Sequence, residues 1–260
     1  MKITLFTSSD VRHNYLINLL AQSCEKLMIV QEYKSSKFKN HKFNISKITQ
    51  EYFNQVNDAQ FKIFGEEQNI KSSKNLKIIS IPNKTLNNLS LSFLKDFLKS
   101  DLYIVYGSSF IKGNLIEFLI KKKAINIHAG ISPYYRGTDC NFWALFDNNP
   151  HLVGSTIHLL STGLDNGDLL YHAMSKIKDN PFNYTMSTVK SAFHSICEKI
   201  KNRSIFDLVP INQDKNKEIR FSRKIDFNDE VIKKYFNKKI DLQSRDFNKA
   251  LLKDPYFLEK

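Results

Sequence analysis

The feature that most constrains this chain is a short strand that ends in two polar side chains and runs directly into a glycine-containing turn. Apolar and polar residues alternate along the strand, so Asn126 and His128 point to the same face of it. Gly130, Pro133 and Gly137 then break the strand and let the backbone come close to a ligand. Because open parallel sheets bind ligands at the carboxyl ends of their strands, we expect a site here.

A second turn strengthens this expectation. A His and an Asn at a strand end often serve only the local backbone, and that alternative stands for the pair taken alone. Further along the chain, the turn at 163–168 adds Asp165. An Asp, a His and an Asn on neighbouring turns supply an orienting carboxylate, a proton carrier and an amide donor for an oxyanion. The three residue types together favour a catalytic role.

Strands and helices alternate over about residues 1 to 200. The predicted strands begin at Ile3, Leu27, Lys77, Leu102 and Ile125. Segments with helical spacing lie between them, including one at 86–98, and two strands at 153–160 and 169–177 follow as hairpin-like partners. This alternation predicts an α/β fold with a mostly parallel, twisted, Rossmann-like sheet and helices on both faces.

The pattern changes beyond Ser204. The remaining segment is polar and weakly patterned, and it is too short for an independently stable barrel of the usual size. We therefore predict a catalytic domain at 1–204 and a small C-terminal appendage at 205–260.

The composition is that of a globular protein, with 42% hydrophobic residues. No apolar run approaches the roughly 18 residues of a membrane span. The start of the chain has no signal-peptide pattern, and the three cysteines are not at metal-ligand spacing, so we expect a reduced cytoplasmic protein without a metal. The formal charge of +13 comes from lysines spread along the chain. We interpret it mostly as a solvated surface and only secondarily as an indication of phosphate-bearing ligands.

Three segments stand in a specific order: Asn126-Ile127-His128, Pro133-Tyr134-Tyr135-Arg136-Gly137 and Gly163-Leu164-Asp165-Asn166-Gly167. They resemble the signature of the folate-dependent formyltransferases. That family includes the methionyl-tRNA, glycinamide ribonucleotide and sugar-nucleotide N-formyltransferases, and the outline of this chain is most similar to the last group. Gly130-Ile131-Ser132 stands where several members carry Ser-Leu-Leu.

The resemblance implies formyl transfer from 10-formyltetrahydrofolate to an acceptor amine. His128 would assist proton transfer, Asn126 would donate to the oxyanion, and Asp165 would orient or charge-balance His128. The folate would bind two turns, with the candidate residues Gly107, Ser108, Ser109, Phe110, Ile111, Leu164, Asn166, Gly167 and Asp168.

For the acceptor we predict a nucleotide-linked amino sugar used in surface polysaccharide synthesis. The methionyl-tRNA members are longer, because they carry a C-terminal barrel that helps to bind RNA, and the glycinamide ribonucleotide members are shorter. We expect no tRNA partner and no membrane partner, and a homodimer is compatible with these features. The alternatives are a methionyl-tRNA or glycinamide ribonucleotide formyltransferase, or a non-catalytic folate- or nucleotide-binding protein.

The candidate substrate-binding residues are Ser8, Ser9, Arg12, Gly130, Tyr135 and Arg136. The cations and N-cap groups among them suit the oxygens of a diphosphate. Ser8 and Ser9 have plain helix capping as an alternative, and Arg136 could equally brace the loop that follows Pro133 through backbone carbonyls. We interpret His158 and His172, which lie on later strands, as structural side chains.

Overall fold

The computed structural model describes residues 1–33, 46–66, 69–176, 178, 180–242 and 252–258. Within them the strands are β1 (Lys2–Ser8), β2 (Lys26–Tyr33), β3 (Leu76–Pro82), β4 (Leu102–Tyr106), β5 (Ile125–His128), β6 (Tyr135–Gly137), β7 (Ser155–Leu159), β8 (Leu169–Met174), β9 (Arg220–Ser222) and β10 (Tyr256–Phe257). The helices are α1 (Val11–Ala21), α2 (Lys47–Phe64), α3 (Gly113–Lys121), α4 (Cys140–Phe146), α5 (Pro181–Lys201) and α6 (Asp229–Asn237). None of the helices in these ranges is long and apolar enough to cross a membrane.

Eight strands form one mixed sheet in the order β10-β8-β7-β5-β4-β1-β2-β3. The first five strands of the chain run parallel to one another, whereas β7 pairs antiparallel with both β5 and β8. This arrangement confirms the predicted α/β class, a mostly parallel Rossmann-like sheet.

The central strands are apolar on both faces because the sheet is covered on both sides. Along β4, Ile104 and Tyr106 pack into a larger core, whereas Tyr103 and Val105 pack into a smaller one. The larger core includes buried residues of α1, α2 and α5, and the smaller core includes those of α3. Near-continuous apolar strands of this kind are typical of parallel sheets that are buried between helices.

The predicted helix at 86–98 is wrong in detail. The segment forms a short 3₁₀ helix at Leu86–Asn88 and then a series of turns. Ser90 Oγ accepts a hydrogen bond from the backbone nitrogen of Phe93 at 3.1 Å. Serine and asparagine side chains that bond to nearby backbone compete with the regular helical ladder, which explains the interruption.

The two later strands lie as predicted. β7 and β8 are the antiparallel, hairpin-like pair expected at 153–160 and 169–177. Residue 177, the predicted end of the second strand, lies outside the described residues.

The segment after residue 204 contacts three parts of the preceding chain. β9 pairs with β6, and β10 extends the main sheet beside β8. On α6, the ring of Tyr235 lies 6.1 Å from that of Tyr52 on α2. The division of the chain at residue 204 stays a prediction, and 243–251, 259 and 260 of the predicted appendage lie outside the described residues.

Candidate active site

Asn126, His128 and Asp165 meet at the carboxyl end of β5. Asn126 Nδ2 donates to Asp165 Oδ1 at 3.3 Å, and His128 Nδ1 lies 3.4 Å from Asp165 Oδ2. The alternation of β5 places Ile125 and Ile127 in the core and the two polar side chains opposite them. Asp165 comes from the turn between β7 and β8 and adopts a left-handed backbone with a φ of 50°, which Asp tolerates better than most residues.

His158 is the fourth member of this cluster, and our interpretation of it as a purely structural residue needs correction. Its Nε2 lies 3.0 Å from Asn126 Nδ2 and 3.7 Å from Asp165 Oδ1. Its Nδ1 lies 2.8 Å from the carbonyl of Leu159. Because a carbonyl can only accept, Nδ1 carries a proton, and Nε2 faces the amide nitrogen of Asn126.

The sequence identifies His158 as a site residue only when the register of β5 and β7 is known. Asn126 and His158 are direct partners in the antiparallel pair of β5 and β7. Side chains of directly opposed residues lie on one face of a sheet and in contact. By contrast, His172 does not line the cavity, which agrees with a structural side chain.

Burial sets the electrostatics of the cluster. It lowers the pKa of His128, and the carboxylate of Asp165 opposes that shift without reversing it. Burial of Asp165 favours its neutral form, but the interaction with His128 and the contact with His158 outweigh it, so the pKa of Asp165 is lowered. The expected state near neutral pH is a neutral His128 beside an ionised Asp165.

Each ring nitrogen of His128 faces an acceptor. Its Nε2 lies 3.4 Å from the carbonyl of Tyr135, and its Nδ1 faces the Asp165 carboxylate at the same distance. An ionised carboxylate favours a proton on the nitrogen that faces it. The Tyr135 carbonyl can only accept, so it favours a proton on Nε2 in the same way, and an imidazolium formed at His128 would donate to both groups.

The cluster forms one wall of a cavity of about 460 Å³. The predicted folate-binding residues that line this cavity are Gly107, Ser108, Ser109, Phe110, Ile111 and Leu164. Phe110 and Leu164 are exposed large apolar side chains, at 50% and 38% of their surface. The volume lies within the ordinary range of small-molecule sites.

Three predicted folate-binding residues do not line the cavity and support their own turn instead. The side chain of Asn166 contacts Ser161 and lies under Gly163. Gly167 packs against the Leu159 carbonyl, which an added Cβ would meet at 1.8 Å. The carboxylate of Asp168 accepts from Asn212. The turn needs these contacts to present Asp165, so the prediction for these three residues is corrected to a supporting role.

The serines of the first turn do not contact the cavity. Ser8 Oγ lies 3.2 Å from His13 Nε2, and Ser9 is exposed to solvent. Neither residue caps α1, because its N-cap is Asp10, whose side chain accepts from the backbone nitrogen of Val11. Both interpretations of the serines are therefore corrected. Arg12, by contrast, lines the cavity, and its role in substrate binding stays a prediction.

The glycine and tyrosine of the second turn are packing residues. Gly130 is needed where it stands, because an added Cβ would lie 2.6 Å from His128 Nε2 and 2.4 Å from Cys140 Cβ. Tyr135 is fully buried, and its hydroxyl accepts from Asn149 Nδ2 at 2.7 Å. Neither residue lines the cavity, which corrects our prediction that they bind substrate.

Arg136 has a partner that neither of our two interpretations foresaw. Its Nε lies 2.7 Å from Glu218 Oε2, and its guanidinium lies 5.6 Å from the centre of the Phe221 ring. The ion pair offsets its charge and directs it towards β9, so Arg136 does not line the cavity. Glu218 lies far along the chain, in the segment after residue 204.

A second cavity of about 320 Å³ adjoins the first. The residues that line both cavities are Arg12, Tyr106, Ala129 and Asp139. The aromatic residues of the second lining are Tyr52, Phe53, Phe142, Phe182, Tyr106 and Tyr235. The cavities therefore meet beside His128, which immediately precedes Ala129.

The solved structures that share this fold include formyltransferases. A sugar N-formyltransferase from a Shewanella species has a TM-score of 0.54 at 15% identity, over 87% of this chain and 78% of that one. The formyltransferase PseJ from Anoxybacillus kamchatkensis, in complex with UDP-4,6-dideoxy-4-formamido-L-AltNAc and tetrahydrofolate, gives 0.51 at 18%, over 87% of each chain. At these identities the likeness is one of fold.

The sequence comparison gives the family. The family model described as formyl transferase matches residues 54–204, more than half of the chain, so the chain belongs to the formyl transferase family. The resemblance in the sequence motifs is thereby confirmed.

The curated relatives include methionyl-tRNA formyltransferases. The one from Clostridium tetani is 34% identical over 107 residues, 41% of this chain and 34% of that protein. The one from Prochlorococcus marinus strain MED4 is 28% identical over 159 residues, 58% of this chain and 48% of that protein. The matches thus span about a third to a half of the length of these relatives.

Proposed function

We propose that this protein transfers a formyl group from 10-formyltetrahydrofolate to the amine of an acceptor. The observation that carries the proposal is the cluster of Asn126, His128 and Asp165 in the wall of a cavity that the 107–111 backbone also lines. An amide donor, a buried base and an orienting carboxylate are the groups that acyl transfer to an amine requires.

The cavity suits a folate donor. The 107–111 segment lies outside strands and helices, so its backbone groups are free of a regular ladder. Gly107 has a φ of 62°, and a Cβ there would lie 2.5 Å from His13 Nε2, so the chain can pass only with glycine. Exposed Phe110 and Leu164 supply apolar contact for a flat ring.

The donor supplies a formyl group on nitrogen, and its carbonyl oxygen gathers negative charge as the acceptor amine attacks. Asn126 holds an amide hydrogen bond to Asp165 at 3.3 Å, longer than usual, and would exchange it for the charged oxygen. His128, oriented by Asp165, would take a proton from the attacking amine. The departing folate nitrogen would receive a proton in return, which keeps the balance.

For the acceptor we favour a nucleotide-linked amino sugar, a precursor of surface polysaccharide. Support comes from two proteins of the same fold: PseJ holds a UDP-sugar, and the N-formyltransferase from Helicobacter canadensis holds dTDP-3-aminofucose with folinic acid. The latter has a TM-score of 0.51 at 14% identity. In this chain the second cavity, which shares Arg12 and Ala129 with the first, would hold the acceptor, with aromatic side chains for a sugar ring and Arg12 for an anionic group.

Methionyl-tRNA is the second candidate acceptor. The observation that favours it is that curated methionyl-tRNA formyltransferases match this chain in sequence. The formal charge of +13 is compatible with RNA, but it is also that of a lysine-rich solvated surface.

A panel of acceptors tests the proposal. The protein is incubated with 10-formyltetrahydrofolate and, separately, UDP- and dTDP-linked amino sugars, glycinamide ribonucleotide and charged initiator tRNA, and products are measured by mass spectrometry. We expect the highest kcat/KM with a sugar nucleotide. A higher value with tRNA, which falls steeply between 50 and 200 mM salt as phosphate contacts require, would assign the second candidate. Binding of folinic acid with no formylated product from any amine would favour a non-catalytic protein.

A further inference from the structure

A buried carboxylate at the end of β2 holds the 107–112 loop from below the cavity. Glu32 is 1% exposed, and its Oε2 accepts from the backbone nitrogen of Ser109 at 2.6 Å. Its Oε1 accepts from Ser109 Oγ at 2.7 Å and from the backbone nitrogen of Lys84 at 2.9 Å. Glu32 itself does not line the cavity.

A second side chain holds the same loop further along. Asn87 Nδ2 donates to the carbonyl of Phe110 at 2.8 Å, and Asn87 Oδ1 accepts from the backbone nitrogen of Lys112 at 2.8 Å. Glu32 and Asn87 thus hold the loop at three residues, Ser109, Phe110 and Lys112. These bonds also determine which backbone groups remain for a ligand. The backbone nitrogens of Ser109 and Lys112 already donate to Glu32 and Asn87.

The chemistry of Glu32 is unusual for a residue that serves stability alone. The three groups that donate to it are neutral, so within the described ranges its carboxylate is held by hydrogen bonds and not by a cation. Burying a carboxylate without a cation is costly, and apolar side chains at such a site often give equal or better stability. Charge-assisted hydrogen bonds are, however, short and strong, and they order a loop well.

We infer that Glu32, together with Asn87, is a positioning residue of the donor site. It acts through the 107–112 loop, whose remaining backbone groups it holds ready for the donor, and it touches neither substrate nor the reacting atoms. The inference rests on the proposed function, since it needs the first cavity to bind a folate. The affinity for the donor would then depend on residues at the sheet edge formed by β2 and β3, whereas the rate of the chemical step would not.

The test is Glu32→Gln, which keeps volume but turns one acceptor oxygen into a donor that opposes the Ser109 or Lys84 nitrogen. We expect the Kd of folinic acid, measured by calorimetry, to rise about tenfold. A change of this size corresponds to the loss of one to two good hydrogen bonds in the bound state. With a productive acceptor, the KM for the donor rises in the same proportion, while kcat and the KM for the acceptor stay within about twofold. In the ligand-free protein, hydrogen exchange of the 107–112 loop becomes faster.

Glu117→Gln, the same change at an exposed position on α3, is the matched control and should alter none of these quantities. Asn87→Ala is the second variant, with the same expected direction; it decides the question if Glu32→Gln fails to fold. Unchanged folinic acid affinity in a folded variant would overturn the inference, and so would a loss confined to kcat. If the natural protein does not bind folinic acid, the proposed donor site fails, whereas faster loop exchange in Glu32→Gln would still show that the loop contact exists.

Discussion

Asp165 touches three polar side chains of the site with one carboxylate. Oδ1 faces Asn126 and His158, and Oδ2 faces His128. Asp165→Asn keeps the volume but loses the charge that favours the Nδ1 proton of His128. We expect kcat to fall by about 10² to 10⁴, the range of general-base and triad-type losses. The measurement is steady-state formyl transfer, with thermal unfolding to show that the fold is retained.

The matched control lies in the same turn. Asp168→Asn makes the same change, but that carboxylate faces Asn212 and not the cavity. It should keep kcat within about threefold of the natural protein, as an exposed contact of this kind contributes little. Equal losses in the two variants would show that the turn, and not the Asp165 charge, is what matters.

The pH dependence of the reaction should report the environment of His128. Burial lowers the pKa of its imidazole, so the base is still neutral at pH values where a free histidine would be protonated. As pH falls, the base is lost only when its lowered pKa is reached, so the acid limb of kcat/KM, after the titration of the free acceptor amine is divided out, should lie below pH 6.5. The carboxylate of Asp165 opposes this decrease in the pKa of His128, so the acid limb of Asp165→Asn should lie at a still lower pH. An acid limb at or above pH 6.5 in the natural protein would contradict this assignment.

At the scale of elements, His172 on β8 ties the segment before β10 to the loop at Pro133. Its Nε2 lies 2.9 Å from the Ser132 carbonyl, and its Nδ1 accepts from the backbone nitrogen of Lys253 at 2.9 Å. The carbonyl requires a proton on Nε2 and the amide requires a lone pair on Nδ1, so the neutral ring fits and the charged ring does not. Burial, the largest cause, lowers the pKa of His172 to about 4.

This contact makes stability depend on pH in a defined direction. Between about pH 6.5 and 4 the unfolded chain binds the His172 proton and the folded chain does not, so the free energy of unfolding decreases as pH falls through this window. The contribution is on the order of 3 kcal/mol and is fully present above pH 6.5. His172→Gln removes the titration, so the difference between its unfolding profile and that of the natural protein should shrink towards pH 4. A constant difference across that window would contradict the account.

Local sequence patterns were enough to predict the strands and to single out Asn126, His128 and Asp165. They did not predict the contacts that depend on how the strands pair. Alternation on β5 placed Asn126 and His128 on one face, and the turn at 163–168 supplied Asp165. His158 was missed as a site residue because the register between antiparallel strands is set by the whole sheet. Tyr135 was misassigned because a tyrosine in a glycine-rich turn gives no sign of whether it points into the core.

At the scale of the whole molecule, the sequence predicted the fold class and left the later segment largely open. The partner of Arg136 is Glu218, and a bidentate pair joins Arg220 to Asp147 at 2.9 and 2.8 Å. Both pairs connect the segment after residue 204 to the turn and helix that follow β5. Ion pairs between residues so far apart in the chain leave no local pattern, since each charge alone is ordinary for a surface.

The first cavity is the proposed folate site beside the catalytic cluster, and the other proposed roles depend on it. The most direct measurement is hydrogen exchange of the natural protein with and without folinic acid. We predict slower exchange in the peptides that cover 107–112 and 163–165, because these segments line the cavity, and little change in β9 or α6. Binding of folinic acid that protects neither lining segment, or protects only residues of the second cavity, would contradict the claim.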